Sequence, residues 1–139
     1  MHAAFEEVKR VTGLLQASGT LVSLFIDPDL AQVDAAANAK ATFIELHTGA
    51  FAEARSEEKQ QRELDKLIRA AQHAHARGLR VNAGHGLDYH NVHLMHQVPF
   101  AEELNIGHAI VARAVMVGLD RAVRDMVALL APPVAARGA

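Results

Sequence analysis

The sequence predicts an α/β domain in which short parallel strands alternate with the helices that cover them. Short apolar runs such as Leu21 to Ile26 and Thr42 to Leu46 are separated by segments whose apolar residues recur every three or four positions. That alternation makes a parallel sheet with helical cover. Polar, glycine-bearing stretches follow the strand-like runs, at the strand ends where such sheets bind ligands. No repeat, linker or low-complexity segment divides the chain. Residues 1–139 therefore form a single domain, long enough for a real core.

Taken in order, residues 3–17 form an amphipathic helix with Phe5, Val8, Val11 or Thr12, and Leu15 on one face, stopped at Gly19. Leu21 to Ile26 is a continuous apolar run that suits a strand buried on both faces. Asp27 is the expected cap and Pro28 the expected start of a helix from about Leu30 to Ala39. Thr42 to Leu46 is the second strand. Ser56 to Arg77 is the clearest helix, with Leu64, Leu67, Ile68, Ala71 and Ala74 on one face and Gly78 at its end. Arg80 to Asn82 and Glu103 to Ile106 are the third and fourth strands, with a short helix at 90–97 between them. Residues 108–117 are helical, as are Leu119 to Leu130, where Leu119, Val123, Met126, Val127 and Leu130 form one stripe. Pro132-Pro133 stops that helix, and the last residues are expected to fray.

Composition excludes several classes. Half the residues are apolar, 22% are charged and the net charge is −2, so no basic footprint for nucleic acid is present. No apolar run approaches the roughly 18–20 residues of a membrane span, and the first residues lack a secretory pattern. With no cysteine, disulfide and thiolate chemistry are absent, which fits a cytoplasmic location.

The chemistry-bearing residues gather at three strand ends. In Asn82-Ala83-Gly84-His85-Gly86-Leu87-Asp88-Tyr89-His90 a histidine stands between two glycines, which let a ligand approach the backbone while the imidazole moves a proton near neutral pH. By its residues alone, His85 is either such a group or a histidine in a glycine turn. Gly107-His108 opens a helix whose free N–H groups suit a phosphate, and it is equally an ordinary strand–helix turn. Glu45 within Phe43-Ile44-Glu45-Leu46-His47-Thr48-Gly49 is a charge inside a strand, either functional or salt-bridged. His47 reads either as a partner supporting the site or, preferably, as a core histidine, and Asp27 either faces the site or is an ordinary helix start. His90, His93 and His96, three residues apart, drift around a helix and do not converge on one ion, and no His-Glu-x-x-His pattern is present. With His73 and His75 they read as solvated positions. No metal is expected.

Four segments, Val-Ser-Leu-Phe-Ile-Asp at 22–27, Phe-Ile-Glu-Leu-His-Thr-Gly at 43–49, Val-Asn-Ala-Gly-His-Gly-Leu-Asp-Tyr-His-Asn-Val at 81–92 and Glu-Leu-Asn-Ile-Gly-His-Ala-Ile-Val-Ala-Arg-Ala-Val at 103–115, resemble the pyridoxine 5′-phosphate synthase family in order and spacing. The resemblance implies a (β/α)₈ TIM barrel, a fold of typically about 250 residues. This chain carries about four β/α units and corresponds to the C-terminal half-barrel. The family's early motifs, with a histidine base, a glutamate base and phosphate-binding residues, have no counterpart in it.

The resemblance further implies condensation of 1-deoxy-D-xylulose 5-phosphate with 3-amino-2-oxopropyl phosphate, with no organic cofactor. His85 matches the family's proton donor and Glu45 its transition-state-stabilising glutamate, while Gly86, Gly107 and His108 match substrate-binding residues. The partners implied are small phosphorylated substrates, with neither nucleic acid nor membrane, and a homo-oligomer. The isolated half is expected to be inactive. The rival is a non-catalytic half-barrel that binds a phosphorylated metabolite and self-associates through its open sheet edges.

Overall fold

A computed structural model describes residues 2–130 of the chain. Helix α1 (His2–Ala17) leads into strand β1 (Ser23–Ile26), then α2 (Leu30–Asn38), β2 (Phe43–His47), a short α3 (Gly49–Ala52), the long α4 (Glu57–Ala76) and β3 (Arg80–Gly84). A 3₁₀ helix (Val92–Gln97), β4 (Ala101–Asn105), α5 (His108–Val117) and α6 (Leu119–Leu130) complete it. The expected stop at Pro132-Pro133 and the fraying end lie outside the described residues.

The strands form one parallel sheet in the order β1-β2-β3-β4. Parallel neighbours need crossover connections, and α2 and α4 supply them, packing on one face of the sheet. That face is the core. Ile44 and Leu46 of β2 and Val81 and Ala83 of β3 meet Val33 of α2 and Leu64, Leu67, Ala70, Ala71 and Ala74 of α4, all buried. The α4 stripe is the one its periodicity predicts, except that Ile68 is half-buried at its edge and Ala70 joins it. Fully covering each such leucine stabilises the fold by roughly 1.5–3 kcal/mol. Ser56 caps α4, accepting from Lys59 N.

Side chains alternate across a strand, so Phe25, Glu45, His47, Asn82 and Asn105 belong to the opposite face. No helix covers it. Strand β1 is consequently not buried on both faces. Leu24 and Ile26 pack on the core, whereas Phe25 is 56% exposed. The apolar run reads as a two-sided strand because it would be one inside a closed sheet, and here one face and one edge are open.

The same absence of neighbours corrects two helices. On α1, Thr12 is buried but Val8, Val11 and Leu15 are exposed, and Gln16 ties the helix to β2 through Lys40 O (2.8 Å) and Thr42 Oγ1 (3.1 Å). On α6, Met126 and Ala122 are buried, while Leu119, Val123 and Val127 of the expected stripe lie open. Helix α2 is capped by Asp29, whose carboxylate accepts from Ala31 N and Gln32 N, not by Asp27. Strand β4 starts two residues earlier than expected, because Glu102 is an extra residue in its pairing with β3. That bulge breaks the alternation a strand shows in sequence. No described helix is long and apolar enough to cross a membrane.

Candidate active site

An open cleft of about 680 Å³ lies at the C-terminal ends of the strands, where β2, β3 and β4 hand over to the loops that follow them. Its lining includes Phe25, Glu45, His85, Gly86, Asp88, Asn105, Gly107 and His108. All five residues singled out in the sequence therefore border one cleft, although three separate segments carry them.

His85 follows β3 with φ 82°, in the left-handed region, and Gly86 follows it with φ 78°. A side chain at Gly86 would meet Ala52 Cβ at 2.9 Å, so both space and backbone conformation require glycine there. Thr48 fixes this turn from below. It is fully buried, and its hydroxyl lies 2.7 Å from Gly84 O and 2.6 Å from His85 O as a shared donor. Its N–H also donates to Gly84 O at 2.8 Å. Beyond the histidine, Asp88 accepts from His90 N (2.8 Å) and Asn91 N (3.0 Å), closing the loop into a polar turn.

The His85 imidazole is exposed and makes no side-chain hydrogen bond among the described residues. Its ring lies 4.8 Å from that of His47, which packs edge-on to Phe25 at 5.1 Å. His47 is thus half-buried at the lip of the site, not a core histidine, and its Nδ1 lies 3.5 Å from Asp27 Oδ1. Gly49 leaves room for both rings, since a Cβ there would stand 2.8 Å from His47 Cε1 and 3.4 Å from His85 Cδ2. Asp27, His47 and Thr48 carry no spacing signal. Asp27 and His47 meet only when β1 and β2 lie side by side, and Thr48 meets its partners only across β2 and β3.

Glu45 is half-buried in mid-β2, and its Oε2 accepts from Asn105 Nδ2 at 2.7 Å. Beside it in register, Asn82 is buried, with an amide oxygen that has no hydrogen-bond partner among the described residues. Gly107 caps α5 without a side-chain bond, and Val111 N is the first amide of that helix to bond back, to Gly107 O at 3.0 Å. The amides of residues 108–110 are left to face an anion, as at any helix start.

Of the other histidines, His90, His93 and His96 are exposed. His73 is half-buried against Asp34, with 2.9 Å between Nε2 and Oδ1, and His75 stacks on Phe100 at 3.8 Å. Among the described residues no three histidine, aspartate or glutamate side chains are grouped to hold a metal ion.

Four sequential parallel strands alternating with helices, with a cleft at the C-terminal strand ends, place the chain in the α/β class and match half of a β/α barrel. A fold of this kind is shared with a chain in the crystal structure of the Amycolatopsis orientalis BexX/CysO complex, at a TM-score of 0.55 and 17% identity, covering 97% of this chain and 53% of that one. The sequence comparisons are more specific. The family described as pyridoxal phosphate biosynthesis protein PdxJ matches residues 1–132, and the chain belongs to that family. Pyridoxine 5′-phosphate synthase of Synechococcus sp. is 59% identical over 119 residues, 86% of this chain and 50% of the relative. The Thermosynechococcus vestitus synthase is 56% identical over 127 residues, 91% of this chain and 53% of the relative. The chain thus spans about half the length of the curated relatives it matches.

Proposed function

We propose that this chain contributes the C-terminal half of a pyridoxine 5′-phosphate synthase site, and that turnover needs the complementary strands. The observation that carries the reading is the shared cleft. The residues that match the family's functional positions come from segments about 40 and 20 residues apart, and they border one cavity. Under this reading His85 donates a proton to a departing oxygen during the condensation of 1-deoxy-D-xylulose 5-phosphate with 3-amino-2-oxopropyl phosphate. Its exposure at the cleft suits that task. Glu45 opposes the positive charge that develops on the imine nitrogen. Gly86 gives the backbone room beside the substrate, and Gly107-His108 presents the α5 amides to a phosphate. The assembly acts in the cytoplasm on small phosphorylated substrates and is a homo-oligomer.

The test supplies both phosphorylated substrates to the purified chain, alone and mixed with the N-terminal half of the Thermosynechococcus vestitus synthase. The expected result is silence from the chain alone and pyridoxine 5′-phosphate from the mixture, lost in His85→Ala. Product from the chain alone that disappears in His85→Ala overturns the need for a second half. Silence from the folded mixture overturns the synthase reading.

One observation favours a second reading, a non-catalytic phosphate-metabolite binder that self-associates. Among the described residues both outer strands, β1 and β4, have an unpaired edge, which invites a second copy.

A further inference from the structure

Gly84 and Asn105 lie within the motifs that mark the site, yet neither has a role in the reading above. Glu45 is on β2 and Asn105 on β4, with β3 between them. Side chains two strands apart start about 9.5 Å from one another, too far for short side chains to meet over an ordinary residue. Asn105 Nδ2 nevertheless donates to Glu45 Oε2 at 2.7 Å. Gly84 makes that possible. A Cβ at Gly84 would stand 2.5 Å from Glu45 Oε1, 2.8 Å from Asn105 O and 3.0 Å from Asn105 Cβ. Its φ lies outside the left-handed region, unlike that of Gly86, so backbone conformation does not call for glycine at 84. Space does. The missing side chain is the gap in which the carboxylate and the amide meet.

We propose that Asn105 is a positioning residue that acts through Glu45, and that Gly84 is the opening in β3 that lets the two touch. The role rests on the reading of Glu45 as the group that opposes positive charge in the reaction. A carboxylate on a flexible stem serves that purpose only when held in place before the charge appears. The amide takes one oxygen, and the other occupies the space that a side chain at Gly84 would fill. Without the donor it swings among rotamers, and a misplacement of about 1 Å at a reacting centre costs up to about a hundredfold in rate.

Two measurements test this, and the first needs no activity. In the ¹⁵N-labelled chain, the Asn105 side-chain amide signals should move markedly on Glu45→Gln and again on Gly84→Ala. Signals indifferent to Glu45→Gln overturn the contact. The second uses the two-half mixture. Asn105→Ala should lower kcat by about tenfold to a hundredfold with little change in KM, and Asn105→Asp, of equal size but no donor when ionised, should not restore it. In a Glu45→Ala background the same Asn105→Ala change should cost less than about twofold, because residues that act as a unit are not additive. Equal losses in both backgrounds overturn the coupling, and circular dichroism of each variant separates either outcome from misfolding. If the unaltered mixture makes no product, the synthase reading fails, and the amide shifts still decide whether Gly84 and Asn105 hold Glu45.

Discussion

His85 holds a backbone conformation that its side chain disfavours. At φ 82° the Cβ crowds the carbonyl that follows, and such residues cost about 1–3 kcal/mol unless their surroundings over-determine them. The surroundings here are the buried Thr48 hydroxyl beneath the turn and the Asp88 cap beyond it. The strain can be measured by removing it. His85→Gly and His85→Ala both delete the imidazole, but only glycine relaxes at this φ. The glycine variant is expected to be the more stable of the two by about 1 kcal/mol, read from urea midpoints, while both lose activity in the two-half mixture. Equal stability would mean that the turn is not strained. Asn82 shows the opposite imbalance. Its amide oxygen is buried with no partner among the described residues, on the sheet face that no described helix covers.

Helices α5 and α6 form a clasp that reaches the site loop. Arg113 of α5 pairs with Asp125 of α6, and Arg121 holds the other carboxylate oxygen at 2.8 Å. Tyr89, four residues after His85, donates its hydroxyl to Ala122 O at 2.8 Å, and the Arg113 guanidinium lies 5.0 Å above its ring. The hydrogen bonds from Arg113 and then Arg121 hold the Asp125 carboxyl below its ordinary value of 3.8. A carboxyl depressed in the folded state adds stability that is fully present above its unfolded value and is lost as pH falls through the folded one. The urea midpoint of the chain is therefore expected to fall more steeply below pH 3.8 than that of Asp125→Asn. Parallel profiles would show that the clasp adds nothing in solution. High salt should weaken this contribution, since the pairs lie at the surface.

At the scale of the whole molecule, one sheet face is closed and the other open. The closed face holds a continuous apolar core against α2 and α4. The open side carries Glu45, Asn105 and the exposed ring of Phe25, and β1 and β4 each have an edge unpaired among the described residues. Further apolar side chains stand in solvent on α5 and α6, among them Val115 and Met116 at 80% and 83% exposure. So much uncovered apolar surface is unusual for a monomer. Sedimentation of the purified chain is expected to give a mass that rises with concentration, and the complementary half should replace that behaviour with a defined complex. A monodisperse monomer at every concentration would count against self-association. A mass that the complementary half leaves unchanged would count against the two-half assembly.

The order of strands and helices was legible in the sequence because it depends on local matters. Periodicity set α4, Gly78 and Ser56 bounded it, and apolar runs marked the first two strands. The glycine-rich strand ends also gave away Glu45, His85, Gly86, Gly107 and His108 as neighbours of one cleft. What covers each face was not legible, since the apolar stripes of α1 and α6 predict burial yet stand largely exposed among the described residues. Nor were the contacts of Thr48, Gly84 and Asn105, whose partners stand 21 to 60 positions away along the chain. Local sequence determined which residues are helix, strand or turn. Only tertiary structure decided which side chains meet, because a hydrogen bond across a sheet depends on register and on the side chain missing from the strand between.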